Sequence, residues 1–137
     1  MAEIPDVNAI FRAYLVTQPE VTRLVGTRIY CPRLPENATL PAIGYFVRGG
    51  PSGNPHIPPL LTPSFQVDCW ADSLPRAREV YRAVYSALQG IQDVIITVGG
   101  INYRILSARE EVQGQDLIEN EIPNYSRVLT FFEVQIC

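Results

Sequence analysis

Ser64-Phe65-Gln66-Val67-Asp68-Cys69-Trp70-Ala71 alternates along its length, then runs directly into Asp72-Ser73-Leu74-Pro75, where the period changes. Phe65, Val67 and Cys69 fall on one side and Gln66, Asp68 and Trp70 on the other, which is the pattern of a strand. From Leu74 the apolar residues return at helical spacing: Leu74, Ala77, Tyr81, Val84 and Leu88, widened by Val80 and Ala83. Arg76, Arg78, Glu79, Arg82 and Gln89 occupy the opposite side. Asp72 or Ser73 supplies a cap, Pro75 fits the first turn, and Gly90 ends the helix. A switch from period 2 to period 3.6 in one stretch predicts a strand feeding a helix that packs back on its own sheet.

Working outward, Val7, Ile10, Phe11, Tyr14 and Leu15 form one face of a helix with Asp6 as its cap. Thr17 is placed to cap a second short helix with Pro19 in its first turn, Val21, Leu24 and Val25 as its apolar side and Gly26 as its stop. Short strands follow over 28–30 and 42–48. After the main helix, Val94 to Val98, Gly99-Gly100 and Ile101 to Arg109 predict a hairpin with a two-residue glycine turn. A loop containing Gly114, Asn120 and Pro123 leads to a last strand, Ser126 to Ile136, with Val128, Phe132, Val134 and Ile136 facing one way and Thr130 among them. The expected fold is α+β: a largely antiparallel sheet of about five to six strands packed against one long helix, with short N-terminal helices.

The chain has 137 residues, a length for one domain. Hydrophobic residues make up 47%, enough to build a core, while the charged fraction of 18% is low and suggests that part of the surface is covered. The formal charge of −3 argues against a protein that coats nucleic acid by neutralising phosphates. All eleven basic residues are arginine, which tolerates interfaces better than lysine because its planar fork is weakly hydrated. Cys31, Cys69 and Cys137 form no Cys-x-x-Cys pair and read as reduced thiols. Glu3 and Asp6 precede the first basic residue, Arg12, so the start does not read as a signal peptide, and no apolar run approaches a membrane span. The expectation is a protein made in the cytoplasm, with no membrane partner.

Eight of the twelve prolines lie between Pro32 and Pro63. Within that region 49–63 has no periodicity and reads as a long Pro/Gly loop, the kind that is retained for function. Ile57, Leu60 and Leu61 would be exposed on it, which predicts intermolecular contact.

No reactive constellation emerges. The single histidine, His56, lies in the Pro/Gly loop with no Cys or carboxylate at ligand spacing. Gly49-Gly50-Pro51-Ser52-Gly53 lacks the lysine and the following helix of a phosphate cradle. Glu110-Glu111 reads as the solvated end of a strand, and Trp70 as packing against a second layer or lying at an interface. No catalytic, cofactor or metal residue is expected.

The ordered set of segments resembles the tail-completion, or tail-terminator, proteins of long-tailed bacteriophages. It comprises the helix before Val25-Gly26-Thr27-Arg28-Ile29-Tyr30, then Leu40-Pro41-Ala42 leading into a strand, then Val67-Asp68-Cys69-Trp70-Ala71 before an Arg/Ala-rich helix. The Gly-Gly hairpin and a closing strand centred on Arg127-Val128 complete it. The resemblance implies a non-enzymatic ring, a hexamer, on the head-proximal end of the tail tube. Such a ring touches the major tail tube protein on one side and a head-completion or neck protein on the other, and lets DNA through without specific binding. It would reside in the virion tail after assembly in the host cytoplasm. Assembly-interface candidates are Arg48, Ile57, Leu60, Leu61, Arg76, Arg78 and Arg82. Lumen candidates are Glu110, Glu111, Asp116, Glu119 and Glu121, whose charge would repel phosphates. The rival readings are another neck or tail-tube component, or a small ligand-binding or enzymatic domain with an intersubunit site around Arg48, His56 and Asp68.

Overall fold

The computed structural model describes residues 5–50, 60–118 and 125–137. The chain forms α1 (Val7–Leu15), α2 (Pro19–Val25), β1 (Ile29–Tyr30), β2 (Ala42–Val47), β3 (Ser64–Ala71), α3 (Leu74–Leu88), β4 (Gln92–Val98), β5 (Ile101–Ile118) and β6 (Ser126–Ile136). All six strands join one sheet in the order β1-β2-β3-β6-β5-β4. The sheet is mixed. β1 runs parallel to β2, whereas the other neighbours are antiparallel.

Local chemistry explains most of these boundaries. The Asp6 carboxylate accepts from the Ala9 N–H at 3.2 Å and starts α1. Gly26 stops α2 at φ 59°, a backbone region that favours glycine. α2 and α3 begin without side-chain caps: Gln18 and Ser73 hold those positions, and the Thr17 hydroxyl instead donates to the Tyr14 carbonyl at 2.6 Å. Pro19 and Pro75, each at the start of its helix, remove a donor that no cap need satisfy. Gly99 and Gly100, at φ 60° and 79°, make the tight turn between β4 and β5.

One contiguous core lies between the sheet and the helices. β3 contributes Phe65, Val67, Cys69 and Ala71, and β6 contributes Val128, Thr130, Phe132, Val134 and Ile136, all fully buried. α3 adds Ala77, Val80, Tyr81, Val84, Ala87 and Leu88. The sheet is not covered by α3 alone. Phe11 of α1 stacks on Phe65 at 4.2 Å and tilts against Tyr45 at 5.0 Å. α1 also rests against β4, at the opposite edge of the strand order, so the sheet curls around it. The Tyr45 hydroxyl donates to the Asn8 carbonyl at 2.6 Å, and the Tyr14 hydroxyl ties α1 to α3 at the Ala87 carbonyl.

The chain between α2 and β2 is held by arginines acting on backbone. Arg12 donates to the carbonyls of Ile29 and Thr27 at 3.1 and 3.2 Å, and Arg28 to that of Pro41 at 2.9 Å. Part of the arginine usage therefore serves the fold. Residues 33–34 lie over the outer side of β2: a Cβ on Gly44 would stand 3.6 Å from the Arg33 backbone, so a larger side chain would lift that segment off.

Candidate assembly surfaces

The long final hairpin is where sequence and structure differ most. β5 does not end near Arg109; it continues to Ile118, paired with β6 through three irregularities of register. β4 covers its other edge only as far as Ser107. Beyond that point α3 and the two residues that follow it supply the missing partners. The Gly90 N–H donates to the Ala108 carbonyl at 3.1 Å, and the Glu110 N–H donates to Gln89 Oε1 at 2.6 Å. The Gly114 N–H donates to the Tyr81 hydroxyl at 3.1 Å, and Arg78 donates to the Gly114 carbonyl at 3.1 Å. Unpaired strand edges are templates for aggregation, and here a helix blunts one with its own polar groups.

The same seam gathers residues that the sequence had assigned to two different surfaces. Arg78 Nε meets Asp116 Oδ1 at 2.7 Å. Glu110 Oε2 accepts from the Tyr81 hydroxyl at 2.6 Å and from Thr130 Oγ1 at 2.7 Å. Burial, and then the hydrogen bond to Glu110, pushes the Tyr81 phenol up to about 12. Gly114 is required by packing, because a Cβ there would stand 2.7 Å from the Tyr81 ring.

A second cluster sits at the end of β2 and β3. Arg48 Nε donates to Ser64 Oγ at 2.7 Å, Ser64 in turn donates to Glu111, and Arg48 lies 3.5 Å from Glu111. The Arg48 guanidinium also covers the Phe131 ring at 3.9 Å. Glu110 and Glu111 are thus bonded members of a strand rather than its solvated end.

The sequence-selected residues therefore divide. Arg48 and Arg78 are joined to Glu111 and Asp116 within one chain. Arg76 makes only a loose, exposed pair with Asp72 at 3.9 Å. Arg82 is exposed and, among the described residues, has no hydrogen bond or ion pair. Leu60 is exposed, but Leu61 is half-buried and bridges to Ile136, exchanging both backbone hydrogen bonds at 2.8 Å. Leu61 is thus a continuation of the sheet rather than a loop tip. Ile57, Glu119 and Glu121 lie outside the described residues, as does His56. In the sequence Tyr81, Gly114 and Thr130 read only as helix, loop and strand residues, and Tyr125 carries no signal. Thr130 did carry a signal: a hydroxyl in an otherwise apolar row needs a partner across the sheet.

The outer side of the sheet carries Trp70, Asp68 and Arg127. Among the described residues Trp70 packs neither against a second sheet nor in the core; it meets Tyr125 edge-on at 6.2 Å, and Arg127 lies over its ring at 4.9 Å. Trp70, Tyr125 and the segment from Arg33 to Asn37, with the charged Arg33 and Glu36, line a groove of about 590 Å³. Beside it, Asp68 is buried, and burial raises its carboxyl, while Arg127 at 3.8 Å and Gln66 at 3.4 Å pull the other way. Asp68 lies on the outer side of the sheet, and Arg48 is bonded to Ser64 and Glu111 at the other end of β3. Among the described residues no three His, Cys, Asp or Glu side chains are grouped to hold a metal, and no helix is long and apolar enough to cross a membrane.

This architecture is that of a structural α+β domain, in which the polar groups of the seam and of the β2–β3 end hold the chain's own strands. The chain belongs to the family described as tail completion protein gp17, matched over residues 9–118. It is a structural protein of the bacteriophage tail kind. Its fold is similar to that of a chain in the structure titled "Virion of native gene transfer agent (GTA) particle", with 17% identity, a TM-score of 0.60 and coverage of 96% of this chain and 97% of that one. No curated protein matches it in sequence.

Proposed function

We propose that this protein is a tail terminator: copies close into a six-membered ring on the head-proximal end of the tail tube, stop its growth and offer the neck a docking face. The observation that carries this reading is the family match over residues 9–118, which spans most of the elements from α1 through β5. The role is assembly rather than catalysis, and the virion is its final location after assembly in the host cytoplasm. The tail tube protein and a head-completion protein are its neighbours.

A closed ring needs a head-to-tail interface built from two different patches. Arg76 and Arg82 on the exposed side of α3, together with Leu60 and the neighbouring 51–59 segment, are the residues proposed to meet the next copy. Arg48 and Arg78 shape that surface from within, through their bonds to Glu111 and Asp116. The acidic stretch from Glu110 to Glu121 is proposed to face the channel. Internal pairing of Glu111 and Asp116 leaves that lining only weakly negative, enough to disfavour phosphate binding while DNA passes.

The test is a tube-growth assay. Tubes polymerised from the major tail protein should stop at defined lengths once this protein is added, and electron microscopy should find a cap of six-fold symmetry at one end. Unchanged growth with bare ends would refute the terminator role.

A further inference from the structure

We infer that the Trp70–Tyr125 groove of one copy takes the proline-rich segment 51–59 of a neighbouring copy. The inference rests on the ring reading above and names the site where one subunit grips the next.

The groove has the chemistry for such a segment. Its walls are two aromatic rings set edge-to-face at 77°, with Leu34 and Pro35 beside them and Arg33 and Glu36 at the same wall. Among the described residues the Trp70 indole N–H and the Tyr125 hydroxyl make no hydrogen bond, so both can serve backbone carbonyls. Aromatic-lined grooves with such donors recognise proline-rich chain, because polyproline II exposes its carbonyls and loses little entropy on docking. The chain itself carries the matching ligand: Pro51-Ser52-Gly53-Asn54-Pro55-His56-Ile57-Pro58-Pro59.

Reach decides between the chain's own segment and a neighbour's. The segment leaves beside the start of β3, where the Ser64 N–H donates to the Gly49 carbonyl at 2.8 Å and Gly50 abuts Thr62. It returns farther from the groove still, because Leu61 is paired with Ile136 beyond the end of β3. Trp70 lies at the other end of that strand, about 23 Å from Pro63 and about 33 Å from Leu60 at ~3.3 Å per residue. Touching the groove from both anchors needs about 56 Å of chain, whereas the links from Gly50 to Leu60 span at most about 36 Å. A copy cannot fill its own groove. Groove and segment therefore form two different patches on one molecule, the requirement for head-to-tail closure.

Trp70 is the chain's single tryptophan, so its emission reports the groove directly. A synthetic peptide of residues 50–62, titrated onto the full chain held dilute enough to be monomeric, should shift that emission saturably. The same peptide with Pro55, Pro58 and Pro59 replaced by glycine should bind roughly tenfold more weakly. No shift with either peptide, or equal binding by both, overturns the inference.

The full chain gives a second arm, scored by native mass spectrometry with and without tail tubes. Pro58→Gly/Pro59→Gly and Tyr125→Ala should each lose self-association, and mixing the two should restore a heterodimer, since one supplies an intact groove and the other an intact segment. Failure of the mixture to recover overturns the inference. So does a change in Trp70 emission when tubes are added to the Pro58→Gly/Pro59→Gly variant, which would assign the groove to a tube protein. Normal rings from that variant would remove the groove assignment and leave the ring reading standing. A wild-type chain that never associates would remove the ring reading, and the peptide titration would still decide the groove.

Discussion

The α3–β5 seam and the Trp70–Tyr125 groove sit on the same sheet but treat their polar groups in opposite ways. In the seam Arg78, Tyr81, Glu110, Gly114, Asp116 and Thr130 answer one another, and an exposed strand edge is closed. In the groove two aromatic side chains have no hydrogen-bond partner for their donors among the described residues. Charge that looks available in sequence can therefore be structural, while the proposed partner surface sets two aromatic rings among the charges of Arg33, Glu36 and Arg127. Aromatic anchors and arginine are likewise enriched at the centres of protein interfaces.

That contrast is easiest to break at the point of tightest packing. Gly114→Ala places a methyl against the Tyr81 ring and should lower stability by about 2 kcal/mol, read as a fall in melting temperature. An unchanged melting temperature would show that α3 does not hold the β5 edge. Tyr81→Phe keeps the ring but strands the Gly114 N–H, and a loss of about 1.5 kcal/mol is expected in denaturant unfolding. Arg78→Ala should cost only about 0.5 kcal/mol, because its pair with Asp116 is partly solvated, with side-chain exposures of 35% and 41%. A loss of several kcal/mol would mean that Arg78, rather than Tyr81, organises the seam.

The smallest expected effect concerns pH on the groove side. Burial raises the Asp68 carboxyl, so between the ordinary value of 3.8 and the raised one the folded chain keeps a proton that the unfolded chain has lost. The folded state then binds more protons, and this contribution to stability falls as pH rises through that window. Melting curves of wild type and Asp68→Asn should therefore converge or cross in favour of wild type as pH is lowered. A difference independent of pH would place Asp68 in solvent.

Much of the fold was legible because periodicity reports which face is buried. The stripes of α1 and α3 and the alternation of β3 and β6 appear where Phe11, Phe65, Val84 and Phe132 said they would. The parallel pairing of β1 escaped, since two residues carry no direction. The second half of β5 escaped for a physical reason. Glu110-Glu111 and Gly114 look like loop residues, yet one edge of that strand is served by side chains of α3 and of Gln89 at its end, so polarity and a missing Cβ are what the position requires. The surfaces were less legible. Arginines and acids were separated into interface and lumen, and the structure joins Arg48 to Glu111 and Arg78 to Asp116 across 63 and 38 residues of sequence. No local pattern encodes such pairs.

The proposed function requires the protein to act as a closed ring on the tail tube. Native mass spectrometry of the purified chain, alone and after incubation with tail tubes, tests it most directly. A species of six copies is expected at least in the presence of tubes. A strict monomer under both conditions would contradict it.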